Sequence, residues 1–585
     1  MPSTLLSSDP NAPATSWRRG SHLVLLGALM LAGGATGAWW WSSRVQPPTP
    51  PNEDGPAWFE DVTEKVGLDF VHDPGPTGAY FMPQSMGSGC AFFHDGDGTL
   101  CIYLLQNAGP DSKSINRLYR QQPDGKFKDA TEGSGLGVAG YNMGVAIADV
   151  NNDGLPDVLL TQFGGIKLFL NLGGGRFTDV TDESGLSNPL WATSAAFLDY
   201  DRDGWLDLVV VNYVDYNPKL PCILPQGAKD FCGPKGMPTS CSKLFRNLGP
   251  KGEKRVRFED VSFASGLGRL PGPGLGVVCA DFDGDGWPDI FVANDGEANR
   301  LWINRHDGTF VDEAASRGVA YTATGKAFAG MGIGLGDVRN QGMFDLFVTH
   351  LTQETNTLWE QGPRGRFRDR TIEAGFLAAR WRGTGFGTLM ADFDLDGSLD
   401  LAVVNGRVLR GGPAKDTGLG FWETYAERNQ LFANDGTGKF RDLSSANKAL
   451  CGSWNVARGL ACADIDGDGA PDLLVTTIGG PARLFRNVAP NRGHWLSVRA
   501  LDPKRKRDAY GAEVRVRAGR REWLRLVNPA GSYLSSSSPL ALFGLGRATE
   551  VDSIFVTWPD GVKERFPGGA ADRSIVVRKG EGRAP

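Results

Sequence analysis

The sequence predicts an all-β fold: a seven-bladed β-propeller followed by a small β-sandwich-like domain, with an N-terminal hydrophobic helix ahead of both. Three observations predict it. A nine-residue, aspartate-rich loop recurs seven times between His94 and Asp472, and each copy leads into a β-type run. Between successive loops lies a second recurring element: a strand, a turn and another strand. After Asn487 both repeats stop, and alternating strands of another pattern follow. A repeat that cannot bury both of its faces alone stacks on its neighbours, and units of about four short strands stack radially. The 80 glycines and 35 prolines in 585 residues fit many short strands joined by turns better than a helical chain.

Residues 1–20 read as a cytoplasmic N-terminus. Trp17-Arg18-Arg19 precedes residues 21–43, a run free of Asp, Glu, Lys and Arg that contains Trp39, Trp40 and Trp41 near its end. About 20 apolar residues at about 1.5 Å rise span a bilayer core of about 30 Å. Basic residues stay on the cytoplasmic side, and tryptophans favour the interface. The run is therefore expected to be a signal-anchor or transmembrane helix through which the chain meets the membrane. A cleaved signal peptide is the competing expectation, because Ala35-Thr36-Gly37 offers small residues to a peptidase. Either way the body is exported: membrane-anchored outside the cytoplasm, or secreted or periplasmic. Residues 44–57, with Pro47-Pro48-Thr49-Pro50-Pro51, read as a linker. Eight cysteines suit an oxidising compartment and leave up to four bridges open.

The propeller is expected over residues 58–487. Five loops carry an intact set of oxygen ligands at positions 1, 3, 5 and 9. These are Asp149, Asn151, Asp153 and Asp157; Asp199, Asp201, Asp203 and Asp207; Asp281, Asp283, Asp285 and Asp289. The remaining two sets are Asp392, Asp394, Asp396 and Asp400, and Asp464, Asp466, Asp468 and Asp472. Two further copies are eroded. The copy from Asp337 to Asp345 carries Arg339 and Gln341, and the arginine is expected to replace the cation there. The copy from His94 to Cys101 reads as one residue short, with Cys101 where the last aspartate belongs. The repeat also has a phase: Trp58 to Val62 resembles the last strand of a unit, whereas the seventh unit ends at Asn487 without one. The N-terminal strand is thus expected to close the ring, which removes two exposed sheet edges.

Hard oxygen ligands in this number suit Ca²⁺. Glycine at position 6 supplies the positive φ of a sharp turn, and carboxylates held this close repel one another without a cation. The EF-hand fails as an alternative, because position 12 holds Leu160, Val210, Val292, Val403 or Val475 and not a bidentate glutamate. About five structural Ca²⁺ sites are expected.

The repeat resembles the FG-GAP/VCBS family, a calcium-loop propeller repeat also found in integrin α-chains. Over Trp58 to Asn487 that resemblance implies seven blades with calcium held in hairpin loops, pinning blade edges. Residues 488–585 carry Asn491-Arg-Gly-His494-Trp495, Gly511-Ala512-Glu513-Val514, Phe543-Gly544-Leu545-Gly546 and Trp558-Pro559-Asp560-Gly561. These strings resemble the ASPIC/UnbV domain that follows such repeats in the cartilage acidic protein family and its bacterial relatives. The segment from Cys222 to Cys241 looks like that family's insertion between blades, expected on the propeller rim and tied by a disulfide. Cys222 with Cys232 is the favoured pair, and Cys241 leaves other pairings open.

Charge is unevenly divided. From Asn491 onward 18 basic residues face 10 acidic ones, against 43 and 57 in the remainder. The basic run Lys504-Arg505-Lys506-Arg507 is expected on a solvated hairpin turn. Six histidines form no His-Glu-x-x-His motif, and Gly272-x-Gly274-x-Gly276 lacks the following helix of a dinucleotide site. No catalytic residue is assigned. The expected function is a non-catalytic protein- or glycan-binding or adhesion module at the cell surface, with no nucleic-acid partner. The alternative is a hydrolase or lyase acting on envelope or extracellular polymers, with its site in the propeller channel.

Overall fold

A computed structural model describes residues 55–585, apart from 220–221, 224–226, 254 and 413–416. The expected N-terminal helix at residues 21–43 lies outside the described residues, as does most of the linker. Among the described residues no helix is long and apolar enough to cross a membrane.

Seven blades of four antiparallel strands each follow one another along the chain as blades 1 to 7, and two short C-terminal strands extend the sheet of blade 1 to six. Blade 2 is representative: Asn142–Ala148, Asp157–Gln162, Gly165–Asn171 and Phe177–Asp179 pair in that order. The first strand of each blade is innermost, and its residues are buried on both faces because neighbouring blades and the channel contents cover them. Both faces of a blade are apolar, so the core lies between blades. Ala146, Leu159 and Leu168 of blade 2 pack with Phe197, Leu208 and Phe245 of blade 3, for example. Each buried leucine or phenylalanine among them contributes roughly 1.5–3 kcal/mol. Close approach needs a missing Cβ on the inner strands: one added to Gly144 would lie 2.7 Å from the Thr193 carbonyl oxygen. Blade 7 borrows its outer strand from the N-terminus. Phe59–Asp61 pairs with Arg483–Asn487, Phe59 opposite Asn487, and this closes the ring.

The C-terminal segment forms two further four-stranded sheets. One orders Arg521–Leu526, Glu513–Ala518, Glu550–Thr557 and Lys563–Ala570. In the other, His494–Asp502 pairs with Arg507–Asp508, Ala541–Gly546 and, in parallel, Arg573–Arg578. Leu496, Val498, Val516, Trp523, Phe543 and Ile554 fill the space between them.

This sandwich sends a finger into the propeller. Ser535–Ser536 adds to blade 1 by a parallel bridge, Ala91 to Ser536. The Val145 amide donates to the Leu534 carbonyl (3.1 Å), and Ile333 and Ser532 exchange amide hydrogen bonds of 2.9 and 2.7 Å. The Ser538 amide donates to the Cys462 carbonyl at 3.0 Å. The finger therefore touches inner strands from both sides of the ring and occupies the channel, leaving a cavity of about 160 Å³ beside Ser532, Ser537 and Ser538. At its tip the Tyr533 hydroxyl donates to the Met86 carbonyl (3.3 Å) in a buried helical turn, Met82–Met86.

On the opposite face, Cys222 and Cys232 form a disulfide with Cα atoms 5.4 Å apart. The other six cysteines are free, so one of the four conceivable bridges forms. Cys90 and Cys101 lie on paired strands but out of register, Cys90 opposite Leu104. The insertion does not stay on the rim. Phe231 stacks on Trp422 of the blade 6 insertion, with centroids 5.5 Å apart and planes 10° apart, and Asp230 accepts from the Tyr425 hydroxyl at 2.6 Å. Aromatic area is what draws it across: Phe231, Trp422 and Tyr425 are all buried there.

Candidate metal centres

Each aspartate loop joins the innermost strand of a blade to its second strand, so all seven gather on one face of the ring. In four loops, oxygens from three carboxylates lie within 4.8 Å of one another: Asp199, Asp201 and Asp203; Asp281, Asp283 and Asp285; Asp392, Asp394 and Asp400; Asp464, Asp466 and Asp472. The Asp149 loop has the same frame but substitutes the Asn151 carboxamide, whose nitrogen donates to Asp153 (2.9 Å).

Backbone amides set this geometry. The position 1 carboxylate accepts from the position 6 glycine: Gly154 on Asp149 at 2.8 Å, Gly286 on Asp281 at 2.7 Å, Gly469 on Asp464 at 2.9 Å. The position 9 carboxylate uses both oxygens. Asp289 accepts from the amides of Phe282 (2.9 Å) and Asn304 (2.9 Å), and Asp157, Asp207, Asp400 and Asp472 repeat the pattern. Asp289 thus pins the loop to its own third strand, while its remaining lone pairs stay available. Asp396 and Asp468, at position 5, accept from the amide two residues on, at 2.7 and 3.0 Å.

The loops are electrostatically unfavourable without a cation. Burial, with neighbouring carboxylates adding to it, pushes Asp149 and Asp281 up to about 6, Asp199 to about 7 and Asp392 to about 8. Asp157, Asp207, Asp289, Asp400 and Asp472 are driven well above the ordinary carboxylate range for the same reason. One buried oxygen each of Asp199 and Asp392 has no hydrogen-bond partner. Orphaned hard oxygens beside clustered carboxylates are what an oxygen-seeking divalent cation would satisfy.

The eroded loops differ from expectation. In blade 5 Arg339 turns away from Asp337 and Asp345 and pairs with Glu360 (2.9 Å), a longer side chain that reaches out to meet it. The arginine that replaces a cation is in blade 1, where Arg120 lies 3.2 Å from Asp95 and 2.6 Å from Asp97. The blade 1 loop is also shorter than its sequence suggests. His94 pairs with Leu100, where Ala148 pairs with Asp157 in blade 2, so Leu100 and not Cys101 takes position 9 and the loop lacks three residues.

The sandwich covers this face, which accounts for the charge division. Arg505 donates to the Asp203 carbonyl (2.9 Å), Arg507 to the Asn152 side chain (2.7 Å) and Trp523 to the Gly397 carbonyl (2.9 Å); Arg492 pairs with Asp468 (2.7 Å). The run at 504–507 is therefore not a wholly solvated turn. Arg507 is buried, because outward-facing loop carbonyls and acidic loops attract it.

Sequence reasoning missed one recurring residue, the Asn or Gln that ends the third strand. Asn304 donates to the carbonyl of Tyr200 in the preceding blade's loop (2.9 Å), Asn434 to Val338 (2.8 Å) and Asn487 to Phe393 (2.8 Å). Its signal was present in the repeated Leu-Phe-x-Asn strings.

The fold and its loops define the class: the chain is a β-propeller of FG-GAP-like repeats carrying a C-terminal ASPIC/UnbV domain. FG-GAP-like repeat matches fall at residues 94–160, 149–210, 281–348 and 421–475, and the ASPIC and UnbV match at 502–584. The chain is homologous to cartilage acidic protein 1, at 28% identity over 316 residues of the Xenopus tropicalis protein and over 320 of the Homo sapiens protein. Each alignment covers 52% of this chain and 44% of the relative, so the chain spans under half the length of the curated relatives it matches. Among solved structures, a lectin of Agrocybe aegerita that recognises non-reducing terminal N-acetylglucosamine aligns with 70% of this chain and 92% of its own, at 16% identity and a TM-score of 0.36. A rhamnogalacturonan lyase of Bacillus licheniformis aligns with 68% of this chain and 71% of its own, at 14% identity and a TM-score of 0.34.

Proposed function

We propose that the chain is an extracytoplasmic, calcium-binding β-propeller that acts as a non-catalytic module for a protein or glycan at the cell surface. The observation that supports this reading above the enzyme alternative is the finger that occupies the channel. Tyr533 and Leu534 occupy the space in which a channel site would have to open, and both are buried. The titratable carboxylates gathered on the loop face are committed to the metal loops. Calcium in five loops would neutralise them and hold each loop's carbonyls toward the sandwich, a structural role. Homology to cartilage acidic protein 1 and the Cys222–Cys232 bridge support export. We assign partner binding to the face opposite the metal loops, where the bridged insertion crosses the ring.

Capture from an extract of cell-surface and matrix material, with calcium and with chelator, tests the reading. We expect a partner retained in calcium and lost on chelation. Turnover of a glycan or polymer panel, abolished by a substitution outside the metal loops, would overturn it.

A further inference from the structure

The sandwich meets the seven loops unequally. At six of them the position 6 glycine is covered: Gly154 by Lys506, Gly204 by Arg505, Gly342 by Arg515, Gly397 by Trp523 and Gly469 by Trp495, while at Gly286 the cover is Arg202, wedged against Gly561. The matching glycine of blade 1, Gly98, faces open space with nothing within 4 Å of an added Cβ. The three missing loop residues leave a gap here, and a cavity of about 290 Å³ lies in it between blade 1 and the sandwich.

Four of the polar groups lining this cavity are uncommitted. The His94 imidazole, the Tyr510 hydroxyl and the hydroxyls of Ser497 and Ser574 line it and make no hydrogen bond to any described residue. Burial, reinforced by nearby Arg499, lowers the His94 pKa, so the ring is neutral at neutral pH. The charged groups that also line it have ion-pair partners: Arg499 pairs with Asp508 at 2.6 Å, and Asp95 lies 3.2 Å from Arg120, with one of its oxygens free of any hydrogen bond. Pro156, Pro539, Leu540 and Ile575 add apolar wall.

Neutral imidazole and hydroxyl groups each both donate and accept. A carboxylate or phosphate would leave their acceptors idle, and an ammonium would leave their donors idle. Hydroxyl groups on an apolar ring match both the polar groups and the wall. The volume sits at the low end of small-molecule sites, about 300–1,000 Å³, enough for one ring and not an oligomer. We propose that the blade 1 seam binds a small, neutral, polyhydroxylated molecule of monosaccharide size, held between the propeller and the sandwich. The proposal rests on reading the chain as a binding module, and names one site and ligand class within it.

The test is saturation-transfer NMR on the full chain in calcium, with glucose, galactose, mannose and xylose as probes and acetate, phosphate and methylamine as charged controls. At least one sugar is expected to give a signal and the charged molecules none. His94→Ala should weaken binding about tenfold, the worth of roughly one buried hydrogen bond. Ser574→Trp, at an exposed strand position, should abolish binding by filling the cavity with the melting temperature unchanged. Absence of signal from all four sugars, a signal unchanged in Ser574→Trp, or binding of the charged controls in their place would overturn the proposal. Macromolecular capture by the Ser574→Trp protein separates the two readings. Failure of the sugars with capture intact removes the seam site alone, and failure of capture with sugars bound removes the wider reading alone.

Discussion

Tyr533→Ala is expected to destabilise the protein by about 4 kcal/mol, although the residue belongs to neither a blade nor the sandwich core. Tyr533 has no solvent exposure, sits with its ring 4.9 Å from that of Phe386 at 64°, and donates to the Met86 carbonyl. Truncating a buried aromatic to alanine costs about 3–5 kcal/mol where the walls cannot collapse. The walls here belong to inner strands of a closed ring, which cannot move inward one at a time. The aromatic pair accounts for about 1 kcal/mol of the total. Tyr533→Phe keeps the ring and loses only the hydroxyl bond, so it should cost about 1 kcal/mol. Guanidinium unfolding of both variants, comparing midpoints at equal slope, makes the measurement. A loss below about 1 kcal/mol for Tyr533→Ala, or equal losses for the two variants, would refute the seating of the finger in the channel.

Four further outcomes follow from the loops. Chelated protein should be more stable in mild acid than at pH 8: the position 1 carboxylates keep protons up to about 6 to 8 when folded, whereas unfolded carboxylates lose them near 4. Stability is then lost as pH rises through that window. Calcium needs the deprotonated form, so the rise in melting temperature it causes should grow from pH 5 to pH 8; equal shifts at both values in scanning calorimetry would contradict this. Asp281→Ala combined with Asp285→Ala should remove one site from a calcium titration and leave the others intact, since each loop supplies its own ligands. Asn304→Ala strands the buried carbonyl of Tyr200 and the half-buried one of Pro288, and should lower stability by about 2 kcal/mol in chemical unfolding, whether or not calcium is present.

Periodicity made the blades legible. Loop, strand and turn recur in register, and position 12 excluded the EF-hand because valine or leucine there must continue a strand. Ring closure was legible too, since Trp58 to Val62 shares the pattern of a unit's last strand. Sequence spacing ends the blade 1 loop at Cys101, whereas strand register, with His94 opposite Leu100, ends it at Leu100. Arg339 was misread because charge alone does not tell an arginine which carboxylate it reaches. Glu360, on the third strand of the same blade, is the carboxylate it meets.

The sequence by itself determined the class of fold, the seven-fold repeat and the residues able to ligate a cation. All of these depend on local order: which side chain follows which at fixed spacing. The tertiary structure decided what that scaffold leaves open. That the sandwich plugs the channel, covers five of the loop glycines and leaves a cavity over blade 1 depends on contacts between residues hundreds of positions apart, such as Ala91 with Ser536. Packing, not periodicity, selects those contacts.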